Sequence, residues 1–269
     1  MSPKTARRRH PVAGYGVITA GLLLVGLGYA AVTGGSLASA ASPSPSQQQQ
    51  IAQGKAIFLQ ECASCHGLFG QGVPRLGPSL IGVGSAAVNF QVGTGRMPAT
   101  SIGAEMPQKP PQLNAQEIQA LGAYVESLGG GPTTPTAAEV SQTGASPGIG
   151  QQLFVADCAQ CHNFVGAGGA LTYGKYAPPL TKATPTQIYE AMLTGPEAMP
   201  VFSNTVITPT QKRDIIAYVV QTRSEPNPGG FSLGRIGPVT EGLVAFLGLL
   251  LFMVFAALWI TAKHGKSHE

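Results

Sequence analysis

Two copies of one five-residue pattern constrain this chain more than any other feature. They are Cys62-Ala63-Ser64-Cys65-His66 and Cys158-Ala159-Gln160-Cys161-His162, and they use all four cysteines. No thiol remains for a structural disulfide. The spacing suits covalent haem attachment: two thiols add to the two vinyl groups of one porphyrin, and the next residue, histidine, binds the iron from the proximal face. Three bonds to one haem c then fall within five residues, and two motifs imply two haem c groups. Zinc knuckles or a Cys-x-x-Cys redox pair are the competing readings. Each motif carries its own histidine and sits in a complete unit, which favours haem.

The units form a repeat. Gly54, Phe58 and Cys62 match Gly150, Phe154 and Cys158 at an offset of 96. Pro78, Leu80 and Thr94-Gly95 match Pro178, Leu180 and Thr194-Gly195 at an offset of 100. Ala123-Tyr124-Val125 matches Ala217-Tyr218-Val219. The repeats run over 51–128 and 148–224. Each is small for a core of side chains alone, so a buried haem would supply missing apolar mass. Helices are expected over 51–62 and 148–158. Asn114 with Glu117, and Thr208 with Gln211, read as capping boxes opening helices that run to Leu128 and about Arg223. No run shows sustained alternation, so essentially no sheet is expected. The Gly/Pro/Ser/Gln-rich stretch 33–50 reads as a flexible tether. Residues 129–147 and 225–237 read as linkers.

The sixth iron ligand follows by elimination. Of five histidines, His10, His264 and His268 lie in the tails, and His66 and His162 are the proximal ligands. Methionine is the natural partner, and His/Met ligation raises haem potential. Met97-Pro98 and Met199-Pro200 follow the matched Thr-Gly pairs. Met106-Pro107 is the alternative to Met97, because its distance to Tyr124 is close to that of Met199 to Tyr218. Met192 reads as a packing residue. Pro78 and Pro178 read either as simple loop prolines or as the source of a carbonyl for the histidine Nδ1 proton. Tyr124 and Tyr218 read as core aromatics. With both irons six-coordinate no position is open to substrate, so no catalytic residue is expected.

Two apolar runs flank the repeats. Residues 11–32 hold no charge and follow Arg7-Arg8-Arg9. They read as a transmembrane helix or, with Ala38-Ser39-Ala40 as a cleavage site, as a signal peptide. Residues 238–260 are long enough to span, with Glu241 and Trp259 near the edges and Lys263 and Lys266 beyond. The basic tails, 1–10 and 261–269, fit the cytoplasmic side. The haem-bearing middle is then extracytoplasmic, on a multi-pass plasma-membrane protein. Residues 33–237 hold ten Lys or Arg and ten Asp or Glu. That balance gives no argument for nucleic acid.

Both repeats resemble small class I cytochrome c domains, over Cys62–Leu128 and Cys158–Arg223. The layout, with Thr94-Gly95-Arg96-Met97-Pro98 and Lys212-Arg213-Asp214-Ile215-Ile216-Ala217-Tyr218-Val219, resembles the di-haem cytochrome c subunit of the actinobacterial-type menaquinol–cytochrome c reductase, the cytochrome bcc complex. That resemblance implies an all-α fold of two tandem class I domains between N- and C-terminal transmembrane helices. It also implies an electron carrier within an oxidoreductase translocase of the respiratory chain. Its partners would be a cytochrome b subunit, a Rieske iron–sulfur subunit as donor, and the CuA subunit of an aa3-type oxidase as acceptor. The di-haem subunit of a cbb3-type oxidase or of a membrane dehydrogenase is the nearest rival. A di-haem peroxidase, or a haem-based sensor, needs an open iron position. The absence of a spare histidine in the middle of the chain counts against the peroxidase.

Overall fold

Helices account for most of the chain in the computed structural model, which describes residues 11–32, 44–101, 103, 105–225, 233 and 238–265. Contacts divide the chain into two units, Met1–Ser44 and Pro45–Glu269. The basic tail 1–10, the tether as far as residue 43, most of linker 225–237 and the last four residues lie outside the described residues. In the first unit, α1 is a helix over Pro11–Val32 whose described side chains, from Tyr15 to Tyr29, are exposed.

The second unit begins with α2, Pro45–Glu61. The tether expected to reach Gln50 therefore stops earlier. Proline presets the first-turn backbone angle, and glutamine is a good helix former, so the Gln run joins the helix instead of remaining coil. The turn α3, Ala63–His66, follows. Next come α4, Gly84–Gly93, and α5, Ala115–Ser127. Asn114 caps α5: its side chain accepts the Glu117 N–H at 3.0 Å, and the Glu117 carboxylate accepts the Asn114 N–H at 2.8 Å. Such a cap contributes about 1 kcal/mol.

The linker expected over 129–147 holds a short capped helix, α6, Ala137–Val140. A further round follows: α7, Pro147–Asp157; α8, Ala159–His162; α9, Pro185–Thr194; and α10, Pro209–Ser224. Thr208 and Gln211 cap α10 reciprocally. Essentially no sheet is expected, and the described residues hold one small pair of strands. Strand β1, Gly169–Ala170, pairs antiparallel with β2, Tyr176–Ala177. At two residues each, these strands are too short to show alternation in the sequence.

Each round packs around its own core. In the first, α2 crosses α5, with Phe58, Leu121, Tyr124 and Val125 buried. In the second, α7 crosses α10 around Phe154, Tyr189, Ile215 and Ile216. Glycine sets both crossings. A Cβ on Gly54 would run into the Ala120 carbonyl, and one on Gly150 into the Asp214 carbonyl. Beside each crossing the repeated aromatics meet alike. Phe58–Tyr124 and Phe154–Tyr218 have ring centroids 5.2 and 5.3 Å apart, both tilted at 54°. Helices α4 and α9 pack on one another and join the rounds.

The chain ends in α11, Pro238–Gly265. Its stretch Val239–Ala262, 24 residues with no part buried, is long and apolar enough to cross a membrane.

Candidate functional site

Each Cys-x-x-Cys-His motif begins where a helix ends. The Cys62 N–H closes α2 onto the Phe58 carbonyl at 2.9 Å, and the Cys158 N–H closes α7 onto Phe154 at 2.9 Å. The chain then turns tightly. Cys65 and His66 N–H groups donate to the Cys62 carbonyl at 3.2 and 3.0 Å; those of Cys161 and His162 donate to Cys158 at 3.2 and 2.9 Å. One helical turn therefore carries both thiols and presents the imidazole next to them.

The loop after each histidine is also repeated. His66 Nδ1 lies 2.8 Å from the Pro78 carbonyl, and His162 Nδ1 lies 3.1 Å from that of Pro178. A carbonyl only accepts, so Nδ1 carries the proton and a neutral ring keeps its Nε2 lone pair for a metal. Burial lowers the His162 pKa and the Pro178 bond opposes it. The net shift favours the neutral ring that binds iron. Gly72 and Gly168 N–H groups return to the carbonyls of His66 and His162 at 2.7 and 3.0 Å. Leu80 and Leu180 donate to Gly70 and Gly166, each at 2.7 Å.

Cys62 and Cys158 are not poised as thiolates. Burial, reinforced by neighbouring Glu61, pushes Cys62 up to about 11. Burial and Asp157 push Cys158 up to about 12. Redox and zinc-binding thiols work as anions beside positive charge. Among the described residues no three His, Cys, Asp or Glu side chains gather to hold a metal ion. A haem fits better, because thioether formation consumes the thiols and needs no standing negative charge.

The methionines separate. Met97 packs against the first core, as Cys62 does. Lys109 Nζ fixes its loop by donating to the carbonyls of Gly95, Arg96 and Pro98 at 2.7, 3.3 and 2.5 Å. In the second repeat a 440 Å³ cavity is lined by Cys158, Cys161, His162, Met192 and Met199. That volume is in the range of cofactor sites. The ligand types a haem c requires converge there on largely apolar walls. Met192 is buried in α9, as a packing residue should be. Met106, the alternative to Met97, lies on the wall of this second cavity, its N–H donating to Glu197 Oε1 at 3.2 Å.

Several residues of these surroundings are not singled out in the sequence. Helix α4 lacks a capping side chain and is buried on several sides, so it shows no single apolar stripe. Helix α9 did carry a signal: Thr184 and Gln187 form a capping box with Pro185 in the first turn. Glu105, Lys109 and Glu197 carry no motif, and Arg96 stands out only as a member of the Thr94-Gly95-Arg96-Met97-Pro98 string. Arg96, Glu105 and Glu197 are placed where the two rounds meet, whereas Lys109 bonds within the first repeat's own loop.

Comparison with known proteins gives matches over both repeats. The family described as cytochrome c oxidase, cbb3-type, subunit III matches residues 49–125 and 145–219, one segment per repeat. A cytochrome bc1 complex cytochrome c subunit of Mycobacterium bovis is 46% identical over 254 residues, covering 90% of this chain and 89% of that protein. Its counterpart in Corynebacterium diphtheriae is 42% identical, over 96% of this chain and 97% of that protein. The cbb3-type oxidase subunit FixP of Sinorhizobium medicae is 32% identical over 43% of this chain and 40% of its own length.

Proposed function

The chain belongs to the family of cytochrome c subunits of cytochrome bc1 complexes, and from that premise we propose that it is a di-haem electron carrier of a respiratory quinol–cytochrome c reductase. One haem is held by Cys62 and Cys65 with His66 and Met97 as axial ligands. The other is held by Cys158 and Cys161 with His162 and Met199. The repeats, 51–128 and 148–224, are tandem class I cytochrome c domains. Helices over 11–32 and 238–260 anchor them in the plasma membrane, with the haem domains extracytoplasmic. Electrons arrive from a Rieske iron–sulfur subunit beside cytochrome b and leave to the CuA centre of an aa3-type oxidase.

The observation that carries this reading is the twofold recurrence of one cage. Each has an attachment turn at a helix end, an imidazole aimed by a proline carbonyl, and an aromatic pair at a glycine crossing. The haem supplies a one-electron couple. The chain holds it through thioethers, orients the proximal ring, shields the metal from water and sets the potential through ligands and burial. With His66 and Met97, and His162 and Met199, as its iron ligands, each haem would be suited to outer-sphere transfer rather than bond chemistry. Coverage of nearly the whole chain supports the bc1 assignment over the cbb3 one, whose FixP relatives match less than half.

The test is haem stoichiometry with partner identity. The purified chain should carry two covalent haems, and Cys62→Ser and Cys158→Ser should each impair attachment at one site. Mild-detergent isolation should bring down cytochrome b and a Rieske protein. One haem per chain, or stains unaffected by both substitutions, would sink the reading.

A further inference from the structure

The second haem site, which rests on the function proposed above, is not built by the second repeat alone. Phe90, Thr94, Arg96, Glu105 and Met106 come from the first repeat, yet all line the cavity that contains His162 and Met199. The first repeat is fastened there by hydrogen bonds. The Tyr176 N–H donates to Glu105 Oε1 at 2.6 Å, and the Met106 N–H donates to Glu197 Oε1. Asn89 Nδ2 donates to Glu190 Oε1 at 2.6 Å across α4 and α9.

Arg96 is the cation this wall contributes, and it follows the first-repeat pair Thr94-Gly95 and precedes Met97. Its guanidinium stacks over Phe90, 5.1 Å from the ring centroid. A guanidinium stays protonated in proteins. The second repeat supplies one cation to the same cavity, Lys182, and the anions Asp157 and Glu197.

We infer that Arg96 is a potential-setting residue of the second haem, supplied by the first repeat's ligand loop. A fixed positive charge on the cavity wall stabilises the reduced haem, which carries one more negative charge than the oxidised one. It therefore raises the reduction potential. Glu105 and Glu197 act in the opposite sense from the same wall. Because Arg96 adjoins Met97, a single stretch of backbone bears on both sites.

The test is a spectroscopic redox titration of the detergent-solubilised full chain. Met199→Ala marks which potential belongs to the second haem. Arg96→Gln should make that haem about tenfold harder to reduce, a fall of about 59 mV for one electron. Arg96→Lys should restore most of it. Glu197→Gln should shift the same potential upward. A general loosening of the wall would not reverse sign between Arg96 and Glu197. An unmoved second potential in Arg96→Gln, a shift confined to the first haem, or equal signs in the two variants would overturn the inference. If two haems are present and Met199→Ala identifies one, that failure touches Arg96 alone. A single haem in the unaltered chain would remove the site assignment and this inference together.

Discussion

The two repeats share an attachment turn and differ in what encloses it. In the first, His66 is buried and the surrounding core is apolar. In the second, His162 is partly exposed, and part of the cavity wall is borrowed from the first repeat. The substitutions follow the same division. Phe90 of α4 aligns with Glu190 of α9, and Ile118 of α5 aligns with Lys212 of α10. Glu190 and Lys212 are fully buried. Lys212 is satisfied by the Ile207 carbonyl at 2.6 Å and by Asn204 Oδ1 at 3.0 Å. Glu190 has one oxygen on Asn89 and the other without a partner. The lesson is that the backbone cage recurs in both repeats, while of the second copy's two buried charges only Glu190 takes its partner from the other repeat.

The strongest way to break the equivalence is at the proposed axial ligands. Met97→Ala and Met199→Ala should each leave haem attached and lower one potential. The fall should be about a thousandfold in the equilibrium constant, or about 180 mV. Met106→Leu should lower neither to that extent. If it collapses the first potential instead, Met106 is the ligand and the two loops are not equivalent.

The helix crossings come next. Gly54→Ala and Gly150→Ala each force a methyl into a facing backbone carbonyl. Each should cost about 3 kcal/mol in denaturant unfolding of its repeat. A cost in one repeat and none in the other would show that only one crossing is held tight.

The smallest effect sharpens the difference between the two interiors. Burial raises Glu190 to about 7 from 4.5, and the Asn89 bond only partly offsets this. The folded chain thus binds a proton there that the unfolded chain has already released between pH 4.5 and 7. Stability tied to this group is therefore present below about pH 4.5 and is lost as pH rises through 7. Glu190→Gln keeps an acceptor for Asn89 and should remove that loss, adding about 2 kcal/mol at pH 8 and little at pH 4. Equal stability of the two proteins at pH 8 would show that the carboxylate has found water.

Much of the site was legible because its chemistry is local. The Cys-x-x-Cys-His spacing fits within one helical turn, and a capping box such as Asn114 with Glu117 needs only three residues. The offsets that align Gly54 with Gly150 and Phe58 with Phe154 made the duplication visible before any coordinates. The ribbon of β1 and β2, the early start of α2 at Pro45 and the helix inside the linker were not legible. Each is too short or too low in complexity to impose a period.

The sequence alone carries the two Cys-x-x-Cys-His motifs with their histidines, the methionine candidates and the apolar run that becomes α11. Those depend on covalent spacing and on composition over a few turns. Only tertiary structure decided that Met97 lies at the first core, that Met106 faces the second cavity, and that Asn89 reaches a carboxylate 101 residues away. The physical reason is that contacts between α4, α9 and the loops beside them are set by how two packed bodies meet. No local periodicity encodes that meeting, and a side chain's partner across it is fixed only once both cores have formed.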